Sequence, residues 1–291
     1  MNLTIFALAL LSGALNATWN FFTKRKASDY SVMITGVCIA NLSIFPITVL
    51  VMATRGFDPR VIPFLLATGA VEGIDFYLLT KIYKVSDISM AYPVSRGTGV
   101  MLTAIFSALI LKEQISVIAV IGIITVFVGV FFFALNKGTN PHMIWESLKA
   151  QKLSIIKGFT IVGYTLVDRV GAKYANPLVY FNFKEIVAMF LLIPILAHGG
   201  TLTFTHMKEV FKKDGKSALA IGYGIICSYV IVLIIYNVFA EAKASYVTVI
   251  RESAVVFGAL LGFIFLREKA TPNKLAGILT IVLGVILIKV G

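Results

Sequence analysis

The sequence predicts an all-α polytopic membrane protein, with ten transmembrane helices forming two five-helix repeats of inverted topology around a central cavity. Three observations carry this. The 291 residues are 58% hydrophobic and only 14% charged, with a mean hydropathy of +0.92, whereas soluble chains are about half apolar and about a quarter charged. The apolar residues fall in ten runs of spanning length. The second half repeats the pattern of the first at an offset of 155 residues.

A helix needs about 20 apolar residues to cross the hydrocarbon. That ruler gives spans at 3–22, 31–53, 62–80, 88–110, 115–135, 155–172, 177–198, 218–240, 245–266 and 272–290. The first lacks a basic start and a clear small-residue cleavage site, so it reads as a retained helix rather than a signal peptide. The second holds Cys38 and Pro46, the third Glu72 and Asp75, and the fourth Pro93 and Arg96. The fifth is apolar throughout. The sixth is the most polar, with Lys157 and Asp168 toward its ends. Lys184 and Glu185 in the seventh are neighbours expected to pair locally; the eighth holds Cys227 and the ninth Arg251 and Glu252.

The net charge of +12 is scattered over loops, as in membrane proteins, and forms no nucleic-acid patch. Loops after the odd-numbered helices hold 16 Lys and Arg against 7 elsewhere, which places both termini outside. Cys38 and Cys227 lie within spans, so no disulfide framework is expected. His142, His198 and His206 show no ligand spacing; no metal and no cofactor are expected.

At the 155-residue offset Arg96 falls on Arg251, Glu113 on Glu268, Gly122 on Gly277, Thr125 on Thr280 and Gly129 on Gly284. Eleven of 37 positions from 94 to 130 are identical. Residues 1–136 and 155–291 therefore read as two copies, with 137–154 as a linker. Five helices per copy is odd, so the second enters the membrane in the opposite sense, as in many secondary transporters.

The runs GALNATWNFFTKRK, SDISMAYPVSRGTG, VGYTLVDRVGAK and ASYVTVIRESAVVFGALLGFIFLREK resemble the EamA-type branch of the drug/metabolite transporter superfamily. The resemblance covers both halves. It implies a ten-helix basket around a central cavity that exports or exchanges small metabolites. It also implies termini in the cytoplasm, against the loop count.

Ionisable residues within spans are costly unless they meet a partner or a cavity. Arg96 lies about 12 Å along its helix at 1.5 Å per residue, and Tyr92, Arg96, Gly99 and Thr103 share one face. Arg251 shares the matching face with Val247, Ala254 and Gly258, while Glu252 points elsewhere. Each arginine either lines the cavity or is pinned by an acid, the candidates being Glu72, Asp75, Asp168, Glu185 and Glu252. Glu72 and Asp75, three apart on one face, read first as counter-ions to Arg96, and alternatively as proton carriers. Asn16, Trp19 and Asn20 in the first helix, and Tyr164 and Asp168 in the sixth, either bond neighbouring helices or line the cavity; Asp168 is near enough to its helix end to be solvated. Gly69-x-x-x-Gly73, Gly258-x-x-x-Gly262 and the Gly122/Gly129 and Gly277/Gly284 pairs read as packing.

Nothing in the sequence supplies a Ser–His, Cys–His or HExxH arrangement or a phosphate-binding loop, which argues against an intramembrane enzyme and a primary pump. The expectation is a secondary carrier of the bacterial inner membrane, monomeric or homodimeric, with a small-molecule substrate, the bilayer and protons as its partners. Guanidinium suits carboxylate or phosphate, so the substrate expected is an anionic or zwitterionic metabolite such as an amino acid or organic acid. The alternatives are a proton-coupled exporter of lipophilic cations, a channel, and a scaffold subunit.

Overall fold

In a bilayer each peptide group must be satisfied inside its own segment, which leaves the helix as the way to cross. The computed structural model of the chain describes residues 1–25, 30–85, 88–134, 152–198, 203–265, 267 and 270–291, and every regular element among them is helical. They are α1 (Leu3–Arg25), α2 (Tyr30–Arg55), α3 (Ile62–Val85), α4 (Ile88–Ile110), α5 (Val117–Ala134), α6 (Lys152–Gly171), α7 (Pro177–His198), α8 (Phe204–Val238), α9 (Ala244–Arg251), α10 (Ser253–Phe265) and α11 (Pro272–Val290). The linker at 135–151, Glu268 and the side chain of Tyr92 lie outside the described residues.

Seven of the described elements are long and apolar enough to cross a membrane, with α9 and α10 counted as one span. The apolar parts of α4 and α5 are shorter. The α6 helix is too polar to qualify because its polar side chains turn inward: Lys157, Tyr164 and Asp168 are buried. Exposed apolar side chains such as Leu109, Phe190 and Leu279 give the outer surface the chemistry of lipid tails.

Two spans differ from the sequence expectation. The eighth begins at Phe204, fourteen residues before the predicted start at 218, because Thr203 caps it by accepting from the His206 N–H. This added stretch carries Lys208, Lys212, Lys213 and Lys216, which a hydropathy ruler discards, and departs from helical geometry at Asp214. The ninth span is broken at Glu252 between α9 and α10. The fourth, by contrast, is continuous through Pro93.

The main packing pairs have a simple order. The α2 helix lies on α8, and α7 lies on α3; α1 also contacts α8, as α6 contacts α3. Helix α4 packs on α6, as α9 and α10 pack on α1. With α9 and α10 counted as one span, moving every partner five places along the span order reproduces these pairs, with α5 against α11 mapping onto itself. That last contact is built on glycines. A Cβ on Gly122 would come within 2.8 Å of the Gly284 carbonyl, and one on Gly129 within 3.0 Å of the Gly277 carbonyl, so the two backbones touch as small residues allow. Gly69 and Gly73 do the same for α3 on α7, but Gly258 faces open space, contrary to the packing expectation.

The chain ends meet: the Met1 ammonium donates to the Lys289 carbonyl and Lys289 Nζ to the Met1 carbonyl, at 3.4 and 3.0 Å. Outside the spans, Asp58 caps the short turn before α3, and bonds from Arg60 hold its carboxyl below the ordinary carboxylate range.

Candidate functional site

Helices α1, α3, α4, α6 and α8 surround a cavity of about 50 Å³, room for several water molecules. From α1 come Asn16, Trp19 and Asn20; from α3, Glu72 and Asp75 with the apolar Phe76, Leu79 and Ile82. Helix α4 gives Ser95 and Arg96, α6 gives Lys157 and Tyr164, and α8 gives Ile225 and Tyr229. Seven of the eleven residues expected at the site thus share one wall.

The charges on this wall are paired, though not as the sequence suggested. Glu72 accepts from Lys184 Nζ at 2.8 Å on both oxygens, and Asp75 accepts from Lys157 Nζ at 2.7 Å on both. Neither is the counter-ion of Arg96. That role falls to Glu252, whose Oε2 accepts from Nε at 3.3 Å while Oε1 lies 2.6 Å from Nη2, an ion contact more than an aligned hydrogen bond. Glu252 stands at the junction of α9 and α10, where α9 packs against α4.

Lys184 does not pair with its neighbour Glu185. It is fully enclosed, reaches Glu72 and, at 3.5 Å, Asp168, and lies over the rings of Tyr229, Phe181 and Tyr164 at 5.0 to 5.9 Å. Asp168 is buried and not solvated: Thr68 and Tyr180 donate to its Oδ1 at 2.7 and 3.1 Å. One connected cluster therefore runs from the cavity wall through α3 and α7 to α6.

Trp19 and the asparagines face the cavity with hydrogen-bonding capacity in hand. Asn20 donates to the Asn16 carbonyl at 2.7 Å, whereas the indole N–H of Trp19 is buried with no acceptor among the described residues. Tyr164 and Tyr229 approach hydroxyl to hydroxyl at 3.5 Å. Arg251 sits behind Tyr229, its guanidinium carbon 4.8 Å from the ring centre. It is 5% exposed, and its Nε and Nη2 have no acceptor among the described residues.

Sequence reasoning missed Lys157 and Tyr229. Lys157 was read as a charge near a span end, and Tyr229 follows Ser228 in a run without charged residues. A count of buried charges points to the lysine; nothing in the sequence singles out the tyrosine.

A second cavity of about 440 Å³ lies where the α4–α5 and α8–α9 loops meet the end of α6, lined by Lys112, Arg169, Lys173 and Lys243 and by Glu113 and Glu241. It is bordered by bonds from the α4–α5 loop to the start of α9. Glu113 accepts from the N–H groups of Ala244 and Ser245 at 2.6 and 3.2 Å and from the Ser245 hydroxyl at 2.7 Å.

The EamA-like transporter family profile matches twice, at residues 3–135 and 148–290. The quaternary ammonium compound-resistance protein QacC of Staphylococcus aureus is 38% identical over 78 residues, which make up 27% of this chain and 71% of that protein. The corresponding protein QacH of Staphylococcus saprophyticus is 42% identical over 69 residues, 24% of this chain and 63% of the other. A solved protein crystal structure superposes over 97% of both chains with a TM-score of 0.67 at 15% identity, a likeness of fold alone. With its helical bundle and twofold profile match, the chain belongs to the EamA-like transporter family of the drug/metabolite transporter superfamily and is a multi-pass membrane transporter.

Proposed function

We propose that this transporter is a secondary carrier of the bacterial inner membrane that exports or exchanges a small zwitterionic or anionic metabolite by alternating access. Residues 1–136 and 155–291 act as two five-helix repeats of opposite sense, joined by 137–154. The offset identity, the five-place order of packing partners and the twofold profile match support that division. The solute binds between the repeats, at the wall formed by Asn16, Trp19, Asn20, Tyr164 and the charge pairs. A cavity of about 50 Å³ must widen to admit it.

One observation carries the choice of solute. Both carboxylates on the cavity wall are already held by enclosed lysines, while Arg251 behind the wall has two donors without acceptors. A guanidinium in that state takes a carboxylate or phosphate readily, and the paired wall offers both signs to a zwitterion. The competing reading, export of lipophilic cations, is favoured by the similarity to QacC and QacH and by the rings of Trp19, Phe76, Tyr164 and Tyr229 around the cavity, since aromatic faces attract quaternary ammonium groups. On that reading Glu72 or Asp75 must give up its lysine.

Counterflow in proteoliposomes separates the two. Saturable exchange of labelled neutral or acidic amino acids, lost in Arg251→Ala, is the result expected. Saturable exchange of tetraphenylphosphonium alone, retained in Arg251→Ala and lost in Glu72→Gln or Asp75→Asn, transfers the conclusion to cation export.

A further inference from the structure

The enclosed charges of the described interior nearly cancel. Lys184 answers Glu72 and Asp168, Lys157 answers Asp75, and Arg96 answers Glu252. Arg251 is the fourth cation. Among the described residues these pairs account for every buried acidic side chain but one.

That side chain is Glu185, in the middle of α7. It is 0% exposed, and neither carboxyl oxygen has a hydrogen-bond donor among the described residues. An ionised carboxylate enclosed with no donor carries a large desolvation penalty, and a group so placed neutralises instead. Its surroundings do not help it ionise. Helix α3 brings Glu72 and Asp75 within its electrostatic reach and α6 brings Asp168, all acidic; α2 brings the Cys38 thiol. Among the described residues the one cation near it, Lys184, is engaged by Glu72 and Asp168 and lies over Tyr229 of α8.

One turn earlier, Asn182 clamps α7 to α2 by donating to the Asn41 carbonyl and amide oxygens at 3.0 Å each. Glu185 is thereby sealed where α7 meets α2 and α3. We infer that Glu185 is a resident proton site: its carboxyl carries a proton while α7 is packed on α2 and α3, and exchanges it with water when that packing opens. This goes beyond the solute reading and does not rest on it. It makes separation of α7 from α2 the step in which one proton enters or leaves the interior.

Infrared spectroscopy of the purified full-length protein in lipid nanodiscs tests this without a substrate. The C=O stretch of a protonated carboxylic acid is recorded at neutral pH for wild type, Glu185→Gln, Glu185→Asp and Glu72→Gln. The band is expected in wild type, in Glu72→Gln and, shifted, in Glu185→Asp, and is expected to disappear in Glu185→Gln. In D2O its isotope shift should develop slowly, and faster in Asn182→Ala, which loosens the seal. No protonated band in wild type at neutral pH, or a band of unchanged intensity in Glu185→Gln, overturns the inference. So does complete exchange within the mixing time. Should Glu185→Gln fail to fold, the wild-type band, the Glu185→Asp shift and the exchange rates decide it.

Discussion

Arg96 and Arg251 stand at the same point of the repeated pattern, yet the molecule treats them differently. Arg96 lies in an unbroken helix, is followed by Gly97, and is bound across the protein by Glu252. Arg251 ends the short helix α9, is followed by Glu252, and has two unmatched donors over the ring of Tyr229. The offset places Glu252 on Gly97. A single difference between the copies therefore supplies the acid that neutralises the first arginine, and the second copy has no counterpart for its own. The two guanidinium groups stand at matching positions of the sequence, and the residues beside them decide that Arg96 is locked by an acid while Arg251 keeps two donors unmatched.

The strongest way to break this comparison is to remove the lock. Glu252→Gln leaves Arg96 enclosed without its carboxylate, and breaking such a pair from one side is expected to destabilise by about 3–5 kcal/mol. A thermal melt in detergent should show it. Arg96→Met combined with Glu252→Met should recover much of the loss, since an apolar pair of similar size replaces an ion pair at little net penalty. A Glu252→Gln protein that melts with wild type would mean that Arg96 is held by other means.

The available arginine should behave in the opposite sense. Arg251→Leu removes a buried charge that has no acid, so its stability is expected to stay within about 1 kcal/mol of wild type, the range of a substitution that breaks no network. Solute exchange should fall at least about tenfold, equal to 1.4 kcal/mol of lost interaction. If Arg251→Leu is as destabilising as Glu252→Gln and the surviving protein exchanges normally, the two arginines have the same structural duty and the contrast disappears.

Tyr229 sharpens the picture because it touches both systems. Its ring lies under Arg251 at 4.8 Å and Lys184 at 5.0 Å. Tyr229→Leu forfeits both cation–π contacts and is expected to lower stability by about 1 kcal/mol, within the range for a desolvated contact. Tyr229→Phe, which keeps the ring, should retain that stability. Equal melting of the Leu and Phe variants would show that the rings pack without holding the cations.

The spans, the glycine seam and most of the cavity wall were legible in the sequence because each follows from a local pattern. Hydropathy over about 20 residues marks a crossing, and paired glycines at matching offsets mark where two backbones meet. The polar face of α1 was equally plain. Partner choice was not legible. Glu72 looked like the acid for Arg96 because a buried arginine needs a partner, but which charges meet depends on how α3, α6 and α7 are arranged, and that arrangement gives Glu72 to Lys184. Lys184 and Glu185 looked like a local pair, yet consecutive residues on a helix point about 100° apart, so each met a different neighbour. The early start of α8 was hidden by its lysines, and the break at Glu252 by a run of spanning length that carries no proline or glycine at that point.

The smallest expected effect concerns the far end of α9. This helix has only eight residues, too short to be stable alone, and its first turn is held by Glu113 from the α4–α5 loop. A carboxylate there satisfies N–H groups that the helix leaves open and faces the positive end of its dipole. Glu113→Gln keeps the shape and removes the charge, and should lower stability by about 0.5–1 kcal/mol. The change should also be felt at the other end of the helix, at Arg251, as a raised half-saturation concentration for exchange with little change in maximal rate. If exchange is untouched while the melt shifts, α9 is a passive strut. If both shift, the loop on one side of the membrane sets how firmly the free arginine is presented to the solute, and the difference between the two arginines reaches beyond the cavity to the helix that carries one of them.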